Sequence, residues 1–309
     1  MEIFLLILSL VILYFGAEWL VSGGASFAVR LGISPLIIGL TIVSIGTSAP
    51  ELVVSSKAAM TGQSALSIGN VLGSNLFNVC IILGISAMIY PLAVKRQLLE
   101  LDVPVMILTS VLFLILFLDG AISRIEAILF ISAFLGYMAY LFITSKKQVG
   151  AEDEEEIKKY KHWIIDVSLI IIGLVALIYG SNLLVDNAVV IAQKLGMSEA
   201  LIGLTIVAAG TSMPELATSV VAAMKKRSDI AIGNVVGSNI FNILLILGVA
   251  GIIYPIHTPD INIVDSLFVV GTGVLLWIFM KVGTRINRWQ GMFLLLIYGV
   301  YLTMKLLML

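Results

Sequence analysis

Long apolar runs recur along the whole chain and constrain its fold more than any other feature. Each is about 20 residues long, the length that an α-helix needs to cross a hydrocarbon core of roughly 30 Å. Of the 309 residues, 60% are apolar and only 12% are charged, and the mean hydropathy is +1.11. A water-soluble domain of this size needs more surface charge, so we expect lipid to be the main solvent.

The pattern predicts an all-α polytopic membrane protein with ten transmembrane helices. The predicted spans are 3–28, 35–60, 66–90, 101–118, 125–143, 164–190, 200–223, 230–253, 263–281 and 289–308.

The basic residues divide unevenly between the two sides of this arrangement. All but four of the 18 Lys and Arg residues fall on one side, the exceptions being Lys57, Arg124, Lys194 and Lys305. Because cytoplasmic loops are rich in Lys and Arg, we expect a plasma or inner cell membrane protein with both termini outside the cytoplasm. The charged segment 145–163 is then a cytoplasmic linker. The net charge of −1 gives no sign of a nucleic-acid partner, and no obligate protein partner is evident.

Two polar motifs occur twice in the same register. Gly46–Glu51 (GTSAPE) returns as Gly210–Glu215 (GTSMPE), and Ile68–Asn78 (IGNVLGSNLFN) returns as Ile232–Asn242 (IGNVVGSNIFN). Both are shifted by 164 positions, from 46 to 210 and from 68 to 232. Shared apolar composition would repeat Leu and Ile, but it would not repeat Asn, Ser, Pro and Glu in one register.

The repeat divides the ten helices into two inverted halves. We expect a first five-helix repeat at 1–144, with its motif region at 39–84, and a second at 164–309, with its motif region at 203–248. An odd number of spans per half means that the second half enters the membrane from the opposite side. Secondary transporters of this plan bind their substrates near the bilayer midplane, between the repeats.

Glu51 and Glu215 lie in the middle of the second and seventh spans. A carboxylate inside a membrane costs a few kcal/mol on insertion scales and marks a functional site by default. In the second span, oxygen-bearing side chains at i, i+3, i+4 and i+7 share one helix face, namely Ser44, Thr47, Ser48 and Glu51.

The seventh span repeats this face with one change. Thr211, Ser212 and Glu215 return, but Ala208 replaces the first serine and could offer only a backbone carbonyl. Pro50 and Pro214 each precede a glutamate and leave a carbonyl one turn earlier without its helical donor.

The third and eighth spans carry a second polar stripe, at i, i+4 and i+8. Its members are Asn70, Ser74 and Asn78 in one repeat and Asn234, Ser238 and Asn242 in the other. Side chains of this kind also hydrogen-bond membrane helices to one another, so both interpretations stay open.

All the candidate ligands are oxygens, which favours a hard cation over zinc or copper. Ca²⁺ takes six to eight oxygen ligands, and Na⁺ could use the same carboxylates with neighbouring hydroxyls. We expect no cofactor, only the transported ions Ca²⁺ and Na⁺. Two ionised carboxylates without a cation are too costly to pass through an occluded state, which favours antiport over leak.

The two repeated motifs resemble the α-repeats of the sodium/calcium exchanger family, in its compact prokaryotic type. The resemblance implies ten helices, a central cluster of Na⁺ and Ca²⁺ sites, and sliding first and sixth helices. It implies ion-binding roles for Glu51, Glu215, Thr47, Thr211, Ser48, Ser212, Ser74, Ser238 and Asn78, and for the carbonyls of Ser44 and Ala208. Asn242 completes our candidate set, although relatives often carry an aspartate at that position.

The predicted function is therefore Na⁺/Ca²⁺ antiport, and Ca²⁺/H⁺ antiport is the main alternative. A passive channel and an intramembrane hydrolase are weaker alternatives, since neither His162 nor His257 is placed to activate a serine. Glu18 and Asp186 also lie in apolar surroundings. They either line an ion path or hold a helix end, and we leave them outside the predicted site.

Overall fold

The structure, a computed structural model, describes residues 1–145, 160–196, 208–258 and 263–307. Most of the predicted linker 145–163 and the first part of the predicted span 200–223 lie outside the described residues. The helices are α1 (Glu2–Leu31), α2 (Pro35–Thr47), α3 (Ala49–Met60), α4 (Ser64–Ile89), α5 (Leu98–Leu116), α6 (Arg124–Ser145), α7 (Trp163–Lys194), α8 (Ala208–Gly210), α9 (Met213–Met224), α10 (Ser228–Ile253), α11 (Ile263–Gly283) and α12 (Arg288–Leu307).

Eight of these helices are long and apolar enough to cross a membrane, and α2 with α3 forms a ninth candidate span in the described part of the chain. Their ends fall within a few residues of the predicted ones. In the seventh predicted span, α9 is a shorter apolar helix of 12 residues. The protein is thus an all-helical membrane protein with eight or nine described candidate spans.

The second predicted span is bent, because α2 and α3 meet at an angle of 46°. Ser48 separates them, and Pro50 occupies the first turn of α3. Proline suits that position because its missing N–H is not needed there. In the second half, α9 begins in the same way, with Pro214 in its first turn. The freed carbonyl of Gly210 accepts a 2.7 Å hydrogen bond from the Ser181 hydroxyl of α7.

Two π-helical segments occupy equivalent places in the halves. Asn78–Ile82 interrupts α4, and Asn242–Leu247 interrupts α10. Each begins at the last asparagine of the repeated motif. Such π-turns are frequent at functional sites, and here they mark the depth at which the two helices carry amide side chains.

Four two-residue strands lie in the loops between the helices. Leu92–Ala93 pairs antiparallel with Arg285–Ile286, and Ala121–Ile122 pairs antiparallel with Ile256–His257. Leu92–Ala93 shifted forward by 164 positions gives Ile256–His257, and Arg285–Ile286 shifted back by 164 positions gives Ala121–Ile122. Each pair therefore joins one loop of the first half to one loop of the second, in a reciprocal manner.

The most buried spans are α4 and α10, which contact each other and the elements of the opposite half. Outside them, α1 and α7 pack tightly together through glycines. A Cβ on Gly173 would lie 2.7 Å from the backbone oxygen of Gly16, so close contact of the two backbones requires glycine there. The buried Asp166 carboxylate of α7 accepts hydrogen bonds from Ser26 and Arg30 of α1.

Candidate functional site

The two membrane carboxylates meet hydroxyls of the opposite half. Glu51 and Glu215 are each 1% exposed. The Ser212 hydroxyl lies 3.0 Å from Glu51 Oε1, and the Ser48 hydroxyl lies 2.8 Å from Glu215 Oε1. The two contacts are equivalent under the sequence repeat. The structure thus brings together, across the halves, side chains that the sequence placed on two separate helices.

The helix breaks place both carboxylates at helix N-termini. Glu51 is in the first turn of α3, and Glu215 is in the first turn of α9. Backbone N–H groups are unpaired there, and the helix dipole stabilises negative charge. The breaks at Pro50 and Pro214 therefore place each carboxylate where the helix dipole favours negative charge, which offsets part of the cost of its burial.

Serines of α4 and α10 complete each carboxylate cluster. The Ser74 hydroxyl is 3.5 Å from Glu51 Oε1 and 3.1 Å from the Ser212 hydroxyl. In the repeat-equivalent cluster around Glu215, the Ser238 hydroxyl is 2.9 Å from the Ser48 hydroxyl. Four of the five predicted serines therefore form two short chains, each ending on one carboxylate.

The predicted threonines contact asparagines of the opposite half. Thr47 donates to Asn234 Oδ1 at 3.0 Å, and Thr211 donates to Asn70 Oδ1 at 3.4 Å. Asn234 Nδ2 in turn donates to the Glu215 backbone carbonyl at 3.3 Å. The stripe residues Asn70 and Asn234 therefore act as interhelical hydrogen-bonding groups, the second of the two interpretations that the sequence left open.

Two asparagines that sequence reasoning missed lie beside the predicted Asn78 and Asn242. Asn78 Nδ2 donates to Asn239 Oδ1 at 3.0 Å, and Asn242 Nδ2 donates to Asn75 Oδ1 at 2.9 Å. All four amides are buried, at 1% to 2% exposure. The signal was available, because Asn75 and Asn239 recur in one register of the repeated motif.

Four buried oxygens at this depth accept no hydrogen bond from any described residue. They are Glu51 Oε2, Glu215 Oε2, Asn78 Oδ1 and Asn242 Oδ1. Buried acceptors without a donor are costly, and no ion pair of the described residues involves either glutamate. Two carboxylate oxygens with two neutral amide oxygens form a donor set that suits a hard cation.

The two predicted carbonyl ligands are less clearly placed. The Ser44 carbonyl accepts from the Ser48 backbone N–H at 3.0 Å and from the Thr47 hydroxyl at 3.3 Å. The Thr47 hydroxyl has only one proton and lies closer to Asn234 Oδ1, at 3.0 Å, so the Ser48 N–H is the main donor to this carbonyl. Ala208 is the first residue of α8, and its side chain lies outside the described part of the chain.

Two cavities flank the site at positions related by the repeat. One, of about 340 Å³, is lined by Pro50, Thr211, Asn182 and Asp186 among others, and so reaches residues next to both carboxylate clusters. The other, of about 440 Å³, has a lining that includes Glu18, Ser22, Tyr160 and Lys225, and none of its described lining residues belongs to the site.

The cavity next to Glu18 is crossed by an ion pair. Lys225 Nζ lies 3.0 Å from Glu18 Oε1 and 2.8 Å from the Ser22 hydroxyl. In the other cavity, Asn182 and Asp186 stand at the repeat-equivalent positions of Glu18 and Ser22. No hydrogen bond or ion pair of the described residues joins Glu18 or Asp186 to the carboxylate clusters.

Comparisons with known proteins agree over the whole chain. The family model described as sodium/calcium exchanger protein matches residues 1–143 and 165–307. The chain is 39% identical to the putative antiporter CaxA of Alkalimonas amylolytica, over 97% of this chain and 96% of that protein. It is 32% identical to the sodium/calcium exchanger MaX1 of Methanosarcina acetivorans, over 96% of each. A structure of the sodium-calcium exchanger NCX_Mj superimposes with a TM-score of 0.87 at 31% identity, covering 98% of both chains.

Proposed function

The chain belongs to the sodium/calcium exchanger protein family, and from this premise we propose that it exchanges Na⁺ for Ca²⁺ across the membrane by alternating access. As a member of an exchanger family it is a multi-pass membrane antiporter of small cations and not an enzyme. One observation carries the choice of ions: two buried carboxylates, one from each half, each leave one oxygen without a hydrogen-bond donor. Two such charges balance one Ca²⁺.

The ligand assignment follows from the contacts. Glu51, Glu215, Asn78 and Asn242 bind the cation through their unpartnered oxygens. The serine hydroxyls hold the carboxylates, the threonine hydroxyls hold the facing asparagines, and both keep lone pairs for a second ion. A site that exchanges one divalent ion for monovalent ions needs such neighbouring oxygens, because the monovalent ions must share the two carboxylates.

The ten-helix inverted topology is also part of this proposal. The two reciprocal strand pairs support it, since a two-fold relation between the halves makes each pair the copy of the other. The charge pattern supports it too. Arg285 and its strand partner Ala93, with the nearby Lys95 and Arg96, fall on the side predicted to be cytoplasmic. In this topology both termini and the cavity of Pro50 and Asp186 face outside.

Alternating access gives the unequal cavities a role. The outer cavity reaches Thr211 and Pro50, next to the carboxylates, whereas the cavity near Glu18 does not reach the site. In the proposed topology the described conformation is therefore open next to the site on the outer side, while both carboxylates stay buried. Movement of the packed α1 and α7 pair past α2 and α9, on which it packs, would exchange the two cavities, because α1 lines the cavity of Glu18 and α7 lines the cavity of Asp186.

The test is uptake of radioactive Ca²⁺ into proteoliposomes loaded with Na⁺, with the membrane potential clamped. We expect rapid uptake that stops when internal Na⁺ is replaced by choline. Uptake should be lost in Glu215→Gln and kept in Glu100→Gln, a matched change at an exposed carboxylate. Uptake driven by a pH gradient and indifferent to Na⁺ would instead establish Ca²⁺/H⁺ antiport. Flux without any counter-ion dependence would establish a channel.

A further inference from the structure

Asn75 and Asn239 face each other across the interface of α4 and α10. Asn75 Nδ2 donates to the Asn239 backbone carbonyl, and Asn239 Nδ2 donates to the Asn75 backbone carbonyl, both at 3.3 Å. A carbonyl oxygen can only accept. Each amide must therefore turn its NH₂ group to the opposite backbone, and this fixes which way each side chain points.

The fixed amides determine the orientation of two further amides. With its NH₂ turned to the backbone, Asn239 presents its Oδ1 to Asn78, and Asn75 presents its Oδ1 to Asn242. An oxygen is bonded by an NH₂ group and repelled by another oxygen, so Asn78 and Asn242 must each offer Nδ2 there, at 3.0 and 2.9 Å. Their own Oδ1 atoms are then left pointing elsewhere, and these are two of the four unpartnered buried oxygens.

These oxygens belong to residues one helical turn from serines of the carboxylate clusters. Asn78 follows Ser74 by four residues on α4, and Asn242 follows Ser238 by four residues on α10. One helical turn advances about 5.4 Å, and both serines belong to the chains that end on Glu51 or Glu215.

We propose that Asn75 and Asn239 are positioning residues that hold the Oδ1 atoms of Asn78 and Asn242 toward the transported cation. This inference rests on the proposed function, since it concerns the same ion site. Amide oxygen and nitrogen have nearly the same size and shape, so packing alone cannot prevent rotation of the group by half a turn. A rotated amide would present NH₂ to the cation and would replace an attraction by a repulsion. The relay through Asn75 and Asn239 excludes that state.

The experiment measures Ca²⁺ binding to the purified full chain in detergent, by titration calorimetry with CaCl₂. Loss of one well-placed neutral ligand is expected to weaken binding by about tenfold, and Asn75→Ala should have this effect. Asn242→Ala should weaken binding as well. Adding Asn75→Ala to Asn242→Ala should weaken it no further, because Asn75 acts through Asn242. The control is Asn187→Ala, which removes a buried amide that bonds only to the Leu183 carbonyl one turn away among the described residues.

Each outcome decides something definite. If Asn75→Ala leaves the Ca²⁺ affinity unchanged, or weakens it equally with and without Asn242→Ala, the positioning role is wrong and the proposed function stands. If the unaltered chain binds no Ca²⁺, both fall together. Thermal unfolding without Ca²⁺ distinguishes the positioning role from a general loss of stability. A general loss would lower the unfolding midpoint of Asn75→Ala whether or not Asn242 is also replaced. Should Asn75→Ala fail to insert, the repeat-equivalent variants Asn239→Ala and Asn78→Ala make the same test.

Discussion

Glu51→Gln removes one negative charge from the centre of the molecule while keeping the shape of the side chain. Glutamine keeps an Oε1 that can accept from Ser212, at 3.0 Å in the unaltered chain. It replaces the unpartnered Oε2 by an NH₂ group, which donates hydrogen bonds and cannot bind a cation. We expect the variant to fold and insert, but to lose its response to Ca²⁺.

The size of the effect follows from the bond that is lost. Interactions with a charged partner contribute about 1.5–3 kcal/mol, and a loss of about 2.7 kcal/mol corresponds to a roughly 100-fold rise in the dissociation constant. At a Ca²⁺ concentration of about 100 times the unaltered dissociation constant, the unaltered chain gains about 2.7 kcal/mol in its free energy of unfolding, and the variant gains about 0.4 kcal/mol.

Without ions, Glu51→Gln should raise the free energy of unfolding. A buried carboxylate with an unpartnered oxygen is costly when no cation balances it, so removing one charge of the two raises stability. Thermal unfolding in detergent, with EGTA or with CaCl₂, measures both signs in one experiment. Glu100→Gln is the matched control and should behave like the unaltered chain in both buffers. A Ca²⁺-dependent rise in the unfolding midpoint that survives undiminished in Glu51→Gln and Glu215→Gln would refute the reasoning.

Two further changes test the close packing of α2 on α10 and the ion pair of Glu18. Gly237→Ala should destabilise the protein by about 1–3 kcal/mol, because its Cβ would lie 2.8 Å from the Leu40 backbone oxygen. Gly136→Ala, on an exposed face of α6 where a Cβ meets nothing within 4 Å among the described residues, should not destabilise it; thermal unfolding of the two variants measures the difference. Lys225→Gln breaks the partly exposed ion pair with Glu18, which is worth about 0.2–1 kcal/mol. It should favour the inward-facing state by a factor of about 1.4 to 5, measured as the ratio of apparent Na⁺ affinities on the two faces of sided vesicles.

Equal midpoints for Gly237→Ala and Gly136→Ala would contradict the close approach of α2 and α10. An unchanged affinity ratio in Lys225→Gln would show that the ion pair is the same in both conformations of the transport cycle.

The predicted helices agree well with the structure because their cause is local. Apolar runs of membrane-crossing length must form helices wherever the backbone has no water to bond with. The bend at Ser48 and the first-turn position of Pro50 were also within reach, since proline cannot donate to the carbonyl four residues earlier. The paired strands were missed, because Leu92–Ala93 and its partner Arg285–Ile286 are too short to show any alternation.

The sequence by itself determined that two carboxylates, with hydroxyls and amides around them, lie at one membrane depth in two repeated halves. It could not decide which groups meet. Ser212 could equally have bonded Glu215 on its own helix, and only the packed structure places it on Glu51. The reason is that a helix face is fixed by local periodicity, whereas a contact between residues about 160 positions apart depends on how whole helices pack. For the same reason, the roles of Asn75 and Asn239 appear only once α4 and α10 are side by side.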